Sequence, residues 1–432
     1  PTTDPLRHPE EPLATEDLVQ LDANHVRPTA AWPAGTFASY HAYPYYPDFQ
    51  RHEPGLQRHR HAGRADPYAG YLAALRAHHG TVPTLVTEFG VPSSIGSAHH
   101  GPLGRSQGGH SEQEAMRIDA ELLQLIRAEG LSGGFLFGWA DEWFKVTWNT
   151  AGHQDRERRQ LWHDPYTNEQ HFGLLAMDAA GSPEATATYL FDADGGWPVR
   201  RATARVDESY VHLRVGLGDS PPSALTLAFD VLPALTGPPP PGSGDRTADA
   251  ALTLDLVRRS GQAYLRDELD PMPLDYRLPA TARGPAPAGW KPFELIVNRD
   301  LTVPSTGVRL PPEIQNAGAL RYGTWDPADE DADSRALWWH DGTDLRIRVP
   351  WALLGFADPS AHRVAVPVPS GGGVARLSTR VVPGLRLTAS ATGTDQAVGD
   401  VTWVNWNRPY HTERLKQGAD RFRDAALDVA RR

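Results

Sequence analysis

The segment TLVTEFG, residues 84–90, ends a short apolar run on a single acidic residue, Glu88. With Val82 and Pro83 before it, the run predicts a buried strand over 82–89. Glu88 is then either a catalytic carboxylate at the end of this strand or a polar residue satisfied there by backbone N–H groups. The expected function of the chain depends on which of these roles Glu88 has.

Strand and helix patterns alternate around this segment. TFASYHAY (36–43) and GGFLFGW (133–139) predict two more strands, and LVQLDANHV (18–26) is a candidate for a fourth. The segments 66–80 and 111–130 predict helices between them, because both have N-terminal capping residues and end on glycine. This order indicates parallel strands joined by helical crossovers, as in α/β folds.

The second half of the chain has a different pattern. From about residue 186 helical periodicity is nearly absent, and short runs of alternating polarity are separated by Gly, Pro and Asp. Such runs are typical of an antiparallel β-sandwich. The last segment reads as an amphipathic helix that packs on the body. We therefore expect four parts: an N-terminal segment (1–35), an α/β domain (36–185), a β-sandwich (186–410) and a C-terminal helix (411–432).

Composition narrows the function classes. The net charge of −11 and the lack of a basic stripe argue against nucleic-acid binding. The absence of cysteine excludes disulfides and thiolate chemistry, and no apolar run approaches the ~20 residues needed to span a bilayer. The histidines are poorly spaced for a metal site, so neither a metal nor a cofactor is predicted. The 13 tryptophans fit a surface that stacks on sugars, or serve as core anchors.

At Thr87-Glu88-Phe89-Gly90 the chain resembles the clan of retaining (β/α)8-barrel glycoside hydrolases, whose nucleophile is a Glu at the end of the seventh strand. The resemblance covers roughly 36–185 and includes Ser39-Tyr40-His41-Ala42-Tyr43 before Glu88, Phe137-Gly138-Trp139 after it, and HFGLLAMDAAGSPEATATY (171–189). It implies the C-terminal part of a TIM-type barrel with Glu88 as the nucleophile.

The resemblance has one gap. The family's acid/base Glu follows an Asn at the end of the fourth strand, and no Asn-Glu pair follows an apolar strand before Tyr40. Either this residue belongs to a missing N-terminal part of the same protein, or the barrel is degenerate, or Asp141 or Glu142 supplies the second carboxylate.

The resemblance also implies substrate-binding residues. His41, Tyr43 and Tyr45 would contact sugar hydroxyls or assist the nucleophile, with aromatic packing at a strand end as the alternative. A stacking platform for sugar rings would be formed by Trp139, Trp143 and Trp148. These three residues could equally form the core of a folded loop.

The second half weakly resembles family 9 carbohydrate-binding modules. The resemblance rests on SYVHLRVGLGD (209–219) and DLRIRVPWALLGF (344–356). Arg346 or Arg348 stands where those modules have an acidic residue, which leaves their ligand and calcium sites without support here.

The sequence thus predicts a glycoside hydrolase, or part of one, that acts on or binds oligosaccharide or polysaccharide through a retaining mechanism. The alternative is a non-catalytic glycan-binding or scaffold protein. A second carboxylate facing Glu88 in an open cleft would favour the enzyme. The sequence leaves the sugar, the linkage, the oligomeric state and the compartment, cytoplasmic or extracellular, open.

Overall fold

The chain folds mainly into β-sheets. The computed structural model describes residues 22–182, 188–192, 196–232, 236–275, 283, 286–303, 307–370 and 375–431. Helical residues make up 22% of the structure, and most strands are antiparallel. The prediction of a partial (β/α)8 barrel is therefore wrong. A barrel needs eight parallel strands closed into a ring inside eight helices, whereas the described residues contain one open parallel sheet of three strands.

The N-terminal region carries this parallel sheet. The strands of the region are β1 Ala38–His41, β2 Arg60–His61, β3 Arg64–Ala65, β4 Thr84–Phe89, β5 Gly133–Leu136 and β6 Leu175–Ala179, of which β1, β4 and β5 form the parallel sheet. Its α-helices are α1 Phe49–His52, α2 Pro54–Arg58, α3 Pro67–His79 and α4 Glu112–Ala128. Short 3-10 helices span Ala23–His25, Pro102–Gly104, Ala151–His153, Arg156–Leu161 and Asn168–His171.

The two longer helices form where the capping residues predict them. The Asp66 carboxylate accepts a hydrogen bond from the Ala69 N–H at the start of α3, and Ser111 and Glu114 form a capping box at the start of α4. The sheet order is β1-β4-β5, with all strands parallel. Val86 and Phe89 pack with apolar side chains of α3 and α4 in one buried cluster. One face of the sheet is therefore covered, and the strand ends that carry His41 and Glu88 are held rigidly side by side.

The second region contains the antiparallel strands. They are β7 Thr188–Asp192, β8 Val199–Val206, β9 Tyr210–Leu217, β10 Ala224–Asp230, β11 Ala250–Asp255, β12 Ser260–Arg266, β13 Trp290–Pro292, β14 Leu295–Asn298, β15 Leu301–Thr302, β16 Arg309–Leu310, β17 Glu313–Gln315, β18 Trp338–Asp341, β19 Asp344–Pro350, β20 Phe356–Asp358, β21 Arg363–Pro369, β22 Ala375–Val381, β23 Leu385–Ala391 and β24 Thr394–Val401. The helix α5 spans Met272–Asp275, and 3-10 turns span Asp267–Leu269, Trp351–Leu354 and Pro359–Ala361.

Two of the sheets in this region share one hydrophobic core. A six-stranded sheet has the order β13-β12-β11-β10-β23-β24, and a five-stranded sheet has the order β18-β19-β9-β8-β7. The alternating burial along β8 and β9 turns every second side chain into this core. The two segments that resemble a carbohydrate-binding module form the paired strands β9 and β19, and Trp351 lies fully buried behind them.

The loop between β5 and β6 joins the two regions. Trp162 and Tyr166 on this loop are fully buried in the core of the second region. The Asn149 side-chain amide donates hydrogen bonds to the Ser97 and Ile296 carbonyls, one in each region. Because its side chains are anchored on both sides, the loop holds a defined position over the strand ends.

The C-terminal segment differs from the predicted single helix. It first forms the strand β25, His411–Leu415, which pairs antiparallel with β6, and only then the helix α6, Ala419–Arg431, which packs on α4. Arg414 binds both Glu112 and Asp178 with its guanidinium group. The chain therefore closes back on the N-terminal region through paired backbone and buried charges.

The candidate fourth strand over 18–26 does not form in the part that is described. Residues 18–21 lie outside the described residues, and Ala23–His25 form a 3-10 turn capped by the Asp22 carboxylate. Among the described helices, none combines the length and the apolarity required to cross a membrane.

Candidate active site

Glu88 lies at the carboxyl end of β4, beside the end of β1. Parallel pairing sets His41 opposite Glu88, and the His41 Nδ1 atom lies 3.1 Å from Glu88 Oε2. The Tyr43 hydroxyl donates a hydrogen bond of 2.9 Å to the same oxygen. The Glu88 side chain retains 29% of its exposure, so it is not sealed by packing. Both contacts are made to Oε2.

A cleft of about 420 Å³ opens at Glu88. Its walls come from the strand ends and from the loops at 99–107 and 137–172. The residues that line it are Tyr43, Tyr45, Tyr46, Glu88, His99, Gln107, Phe137, Lys145, Val146, Thr147, Trp148, Glu169 and Phe172. Six of these thirteen residues are Phe, Trp or Tyr, and the charged ones are two carboxylates and one ammonium group. A wall of this kind suits a ligand with both apolar faces and hydroxyl groups.

Tyr43 is kept protonated by its surroundings. Burial raises the pKa of the Tyr43 hydroxyl, and the hydrogen bond to the Glu88 carboxylate raises it further. Tyr45, almost fully buried next to Tyr43, stacks parallel to the His99 ring at 6.5 Å between centroids. Both predicted tyrosines therefore line the cleft, Tyr43 as a hydrogen-bond donor to Glu88 and Tyr45 as a packed wall. His41 contacts Glu88 from outside the lining.

Glu169 is a second carboxylate in the same cleft. It sits on the 3-10 helix Asn168–His171, whose position is set by the hydrogen bond from the Glu169 N–H to the Thr147 hydroxyl. Its carboxylate accepts a hydrogen bond from the Gln107 amide, and 28% of the side chain is exposed. Burial raises the pKa of Glu169, opposed by Lys145 and Gln107 and reinforced by the negative charges of Glu142 and Glu88. Glu88 and Glu169 thus face one space in different surroundings.

The geometry separates Asp141 from this cleft. Asp141 is buried, its carboxylate lies 2.7 Å from the Lys416 Nζ atom, and it also accepts the Gly173 N–H. Burial raises the pKa of Asp141 to about 6, while the Lys416 ammonium acts in the opposite direction. Asp141 is therefore occupied by an internal ion pair and does not line the cleft.

Glu142 is nearer but also lies outside the lining. Its carboxylate is 3.2 Å from the Lys145 Nζ atom, and Lys145 does line the cleft. Glu142 thus contacts a residue of the cleft, Lys145, but does not itself line the cleft.

The three predicted stacking tryptophans lie apart from each other. Trp148 lines the cleft and has the Arg299 guanidinium over its ring. Trp143 is buried, stacks on His163 and donates its indole N–H to the Met177 carbonyl. Trp139 is 72% exposed and lies outside the lining. Of the three, only Trp148 stands where it could contact a ligand beside Glu88.

The sequence contains an Asn-Glu pair at Glu169, but this pair does not follow an apolar strand, so the motif did not identify it. Asn168-Glu169 is an Asn-Glu pair separated from HFGLL (171–175) by Gln170, in a polar loop rather than at the end of an apolar strand. Gln107 was missed for a related reason, because nothing local links residues 107 and 169 to Glu88. Folding of the long loops over the sheet brings them together.

No protein-family model matches the chain, and no curated protein or solved structure shows significant similarity to it. Within the described ranges, no group of three or more His, Asp or Glu side chains is arranged to hold a metal ion. The assignment of a function therefore depends on the chemistry of the cleft.

Proposed function

We propose that this chain is a glycoside hydrolase that acts by the retaining mechanism, with Glu88 as the nucleophile and Glu169 as the acid/base. The observation that carries the proposal is the pair of partly exposed carboxylates on one aromatic-lined cleft. Glycosidases that retain configuration require one ionised carboxylate and one carboxyl group that holds a proton. The Tyr43 hydroxyl donates a hydrogen bond to Glu88 and the His41 ring lies beside the same oxygen, whereas burial raises the pKa of Glu169 and so favours its protonated form.

The chemistry follows from these two environments. In the first step Glu88 forms a bond to the anomeric carbon while the glycosidic C–O bond breaks, and Glu169 gives its proton to the departing oxygen. In the second step Glu169 takes a proton from water, whose oxygen displaces Glu88 from the anomeric carbon. The product sugar leaves with its original configuration, and both carboxyl groups return to their starting states.

The aromatic walls supply the binding part of the reaction. Sugar rings have apolar faces that pack on indole and phenyl rings, and the cleft lining includes the partly exposed rings of Phe137 and Trp148. The same surface would serve a non-catalytic glycan-binding protein, which is the alternative function. The presence of Glu169 favours the enzyme, because binding alone has no use for a second carboxyl group with a raised pKa.

The test is a hydrolysis screen with aryl glycosides and with neutral oligosaccharides, followed by variants. We expect Glu88→Ala to lower kcat/KM by at least about 10³-fold and azide to restore turnover as a glycosyl azide of opposite configuration. Glu169→Ala should lower kcat/KM by about 10²–10⁴-fold for substrates with poor leaving groups and by far less for activated aryl glycosides. A 2-fluoro glycoside should label the peptide that contains Glu88.

Glu121→Gln is the matched control, because the Glu121 side chain is partly exposed on α4 and, among the described residues, its ion pair is with Arg117. It should keep full activity. If no glycoside is hydrolysed but oligosaccharides still shift the NMR signals of the cleft residues, the chain is a binding protein and the catalytic proposal is wrong. Label on any residue other than Glu88 would also contradict it.

A further inference from the structure

Lys145 is built into the cleft by the same loop that carries Glu169. The Lys145 N–H donates to the Glu142 carbonyl, which forms a tight turn between these two residues. The Gln170 side-chain amide donates to the Lys145 carbonyl at 3.0 Å and to the Trp143 carbonyl at 2.6 Å. The backbone at Lys145 is thus tied to the 3-10 helix that carries Glu169.

The Lys145 ammonium group has three neighbours. It lies 3.2 Å from Glu142 Oε2, 3.8 Å from Glu169 Oε2 and 4.1 Å above the centre of the Phe137 ring. The closer carboxylate is therefore Glu142, outside the lining, and the more distant one is Glu169, inside it. The Lys145 ammonium group is therefore held nearer to Glu142 than to Glu169.

The charged groups that face Glu169 can be counted. Lys145 favours its ionised form, whereas Glu142 and Glu88 disfavour it, and the remaining polar contact is the uncharged Gln107 amide. Among the described residues that line the cleft, Lys145 is the single lysine or arginine side chain. The closer the Lys145 ammonium group lies to Glu169, the more readily this carboxyl group loses its proton.

We propose that Lys145 is a positioning residue shared between Glu142 and Glu169. Glu142 holds the Lys145 ammonium group away from Glu169, so that Glu169 keeps a proton to donate. This inference rests on the proposed role of Glu169 as the acid. It adds a function for Glu142, a predicted acid/base candidate: Glu142 acts on the acid through Lys145 and does not touch the substrate.

The proposal predicts opposite effects from two substitutions beside each other. Lys145→Met removes the charge and keeps the length of the side chain, so Glu169 should hold its proton to higher pH. Glu142→Gln frees Lys145 for Glu169 and removes a negative charge nearby, so Glu169 should lose its proton at lower pH. Near the midpoint of the titration each change should alter the ratio of protonated to ionised Glu169 by about threefold or more.

The experiment is a ¹³C NMR titration of the full chain with labelled glutamate carboxyl groups, in which the Glu169 signal is identified by its loss in Glu169→Gln. It needs no substrate, so its result is independent of whether hydrolysis is found. Arg117→Met is the control, since this exposed arginine pairs with Glu121 far from the cleft and its loss should leave Glu169 unchanged. Far-UV circular dichroism confirms that each variant is folded.

Direct Coulomb interaction alone gives opposite shifts in the two single variants, so the deciding measurement is the effect of Glu142→Gln in the Lys145→Met background. A Glu142→Gln shift that is clearly smaller in that background than in the native chain supports the proposal, because Glu142 then acts through Lys145. A shift of equal size in both backgrounds, or no shift in either single variant, overturns it. A smaller shift in a chain without hydrolytic activity would support the shared lysine and refute the proposed function.

Discussion

Replacement of Lys416 or Asp141 tests whether Asp141 is a structural residue or a catalytic acid. The two side chains form an ion pair of 2.7 Å in which the side-chain exposure is 1% for Lys416 and 4% for Asp141. The pair joins the C-terminal segment to the loop after β5, and Lys416 also donates to the His171 carbonyl, two residues from Glu169. A loss of this pair should therefore loosen the cleft as well as the fold.

The magnitude follows from the geometry. At 2.7 Å and an effective dielectric constant of about 20, the attraction of two unit charges is about 6 kcal/mol, most of which offsets the cost of burying them. Removal of one partner leaves the other charge buried, so Asp141→Asn and Lys416→Met should each cost about 3–5 kcal/mol of unfolding free energy. The double variant should recover about 2 kcal/mol or more of the summed loss, because neither charge is then left alone.

The two single variants should differ in their pH dependence. In Lys416→Met the pKa of Asp141 in the folded state rises above its native value of about 6, since the opposing ammonium is gone. A carboxyl group with a raised folded-state pKa contributes stability below its unfolded pKa, near 3.8, and this contribution is lost as the pH rises through the folded value. Lys416→Met should thus be markedly less destabilised at pH 5 than at pH 8. In Asp141→Asn no carboxyl group titrates at position 141, so the pH dependence that this group gives to native stability, between its unfolded value near 3.8 and its folded value of about 6, should be absent.

Chemical denaturation followed by circular dichroism at pH 5 and pH 8 measures these differences. Arg117→Met serves as the control, because its exposed pair with Glu121 should be worth less than about 1 kcal/mol. Additive losses in the double variant, or losses below about 1 kcal/mol in both single variants, would refute the structural reasoning. An Asp141→Asn variant that stays fully stable but loses hydrolysis would instead make Asp141 the acid.

Two further predictions concern binding and pH. Trp139→Ala should leave both the hydrolysis of aryl monosaccharides and the binding of long oligosaccharides within about twofold, because the exposed indole lies outside the cleft lining. A loss of affinity of about fivefold or more by titration calorimetry would contradict this and give Trp139 a stacking role. Because burial raises the pKa of Glu169, this acid should stay protonated to higher pH than an ordinary glutamate. The alkaline limb of kcat/KM should therefore lie above pH 4.5 and vanish in Glu169→Gln. An alkaline limb that persists in Glu169→Gln would assign the proton to another group.

Local patterns predicted the elements around the site. The caps at Asp66 and Ser111 and the apolar runs at 84–89 and 133–136 form as expected, because these signals act over a few residues of chain. The position of Glu88 at a strand end beside Tyr43 follows from the same patterns. The closed barrel did not follow, because three strand–helix units specify a parallel sheet but not the number of strands that join it.

The sequence by itself determined that Glu88 would be held at a strand end among aromatic side chains, since a strand and its immediate continuation are short-range features. The tertiary structure decided which carboxylates share its cleft. Asp141, two residues after Trp139, lies outside the cleft because it forms a buried ion pair with Lys416, which is 275 positions further along the chain. Glu169 is brought to the cleft because the long loop that carries it is anchored in the core of the second region. Such pairings arise from packing and burial over long separations, which no local pattern of residues encodes.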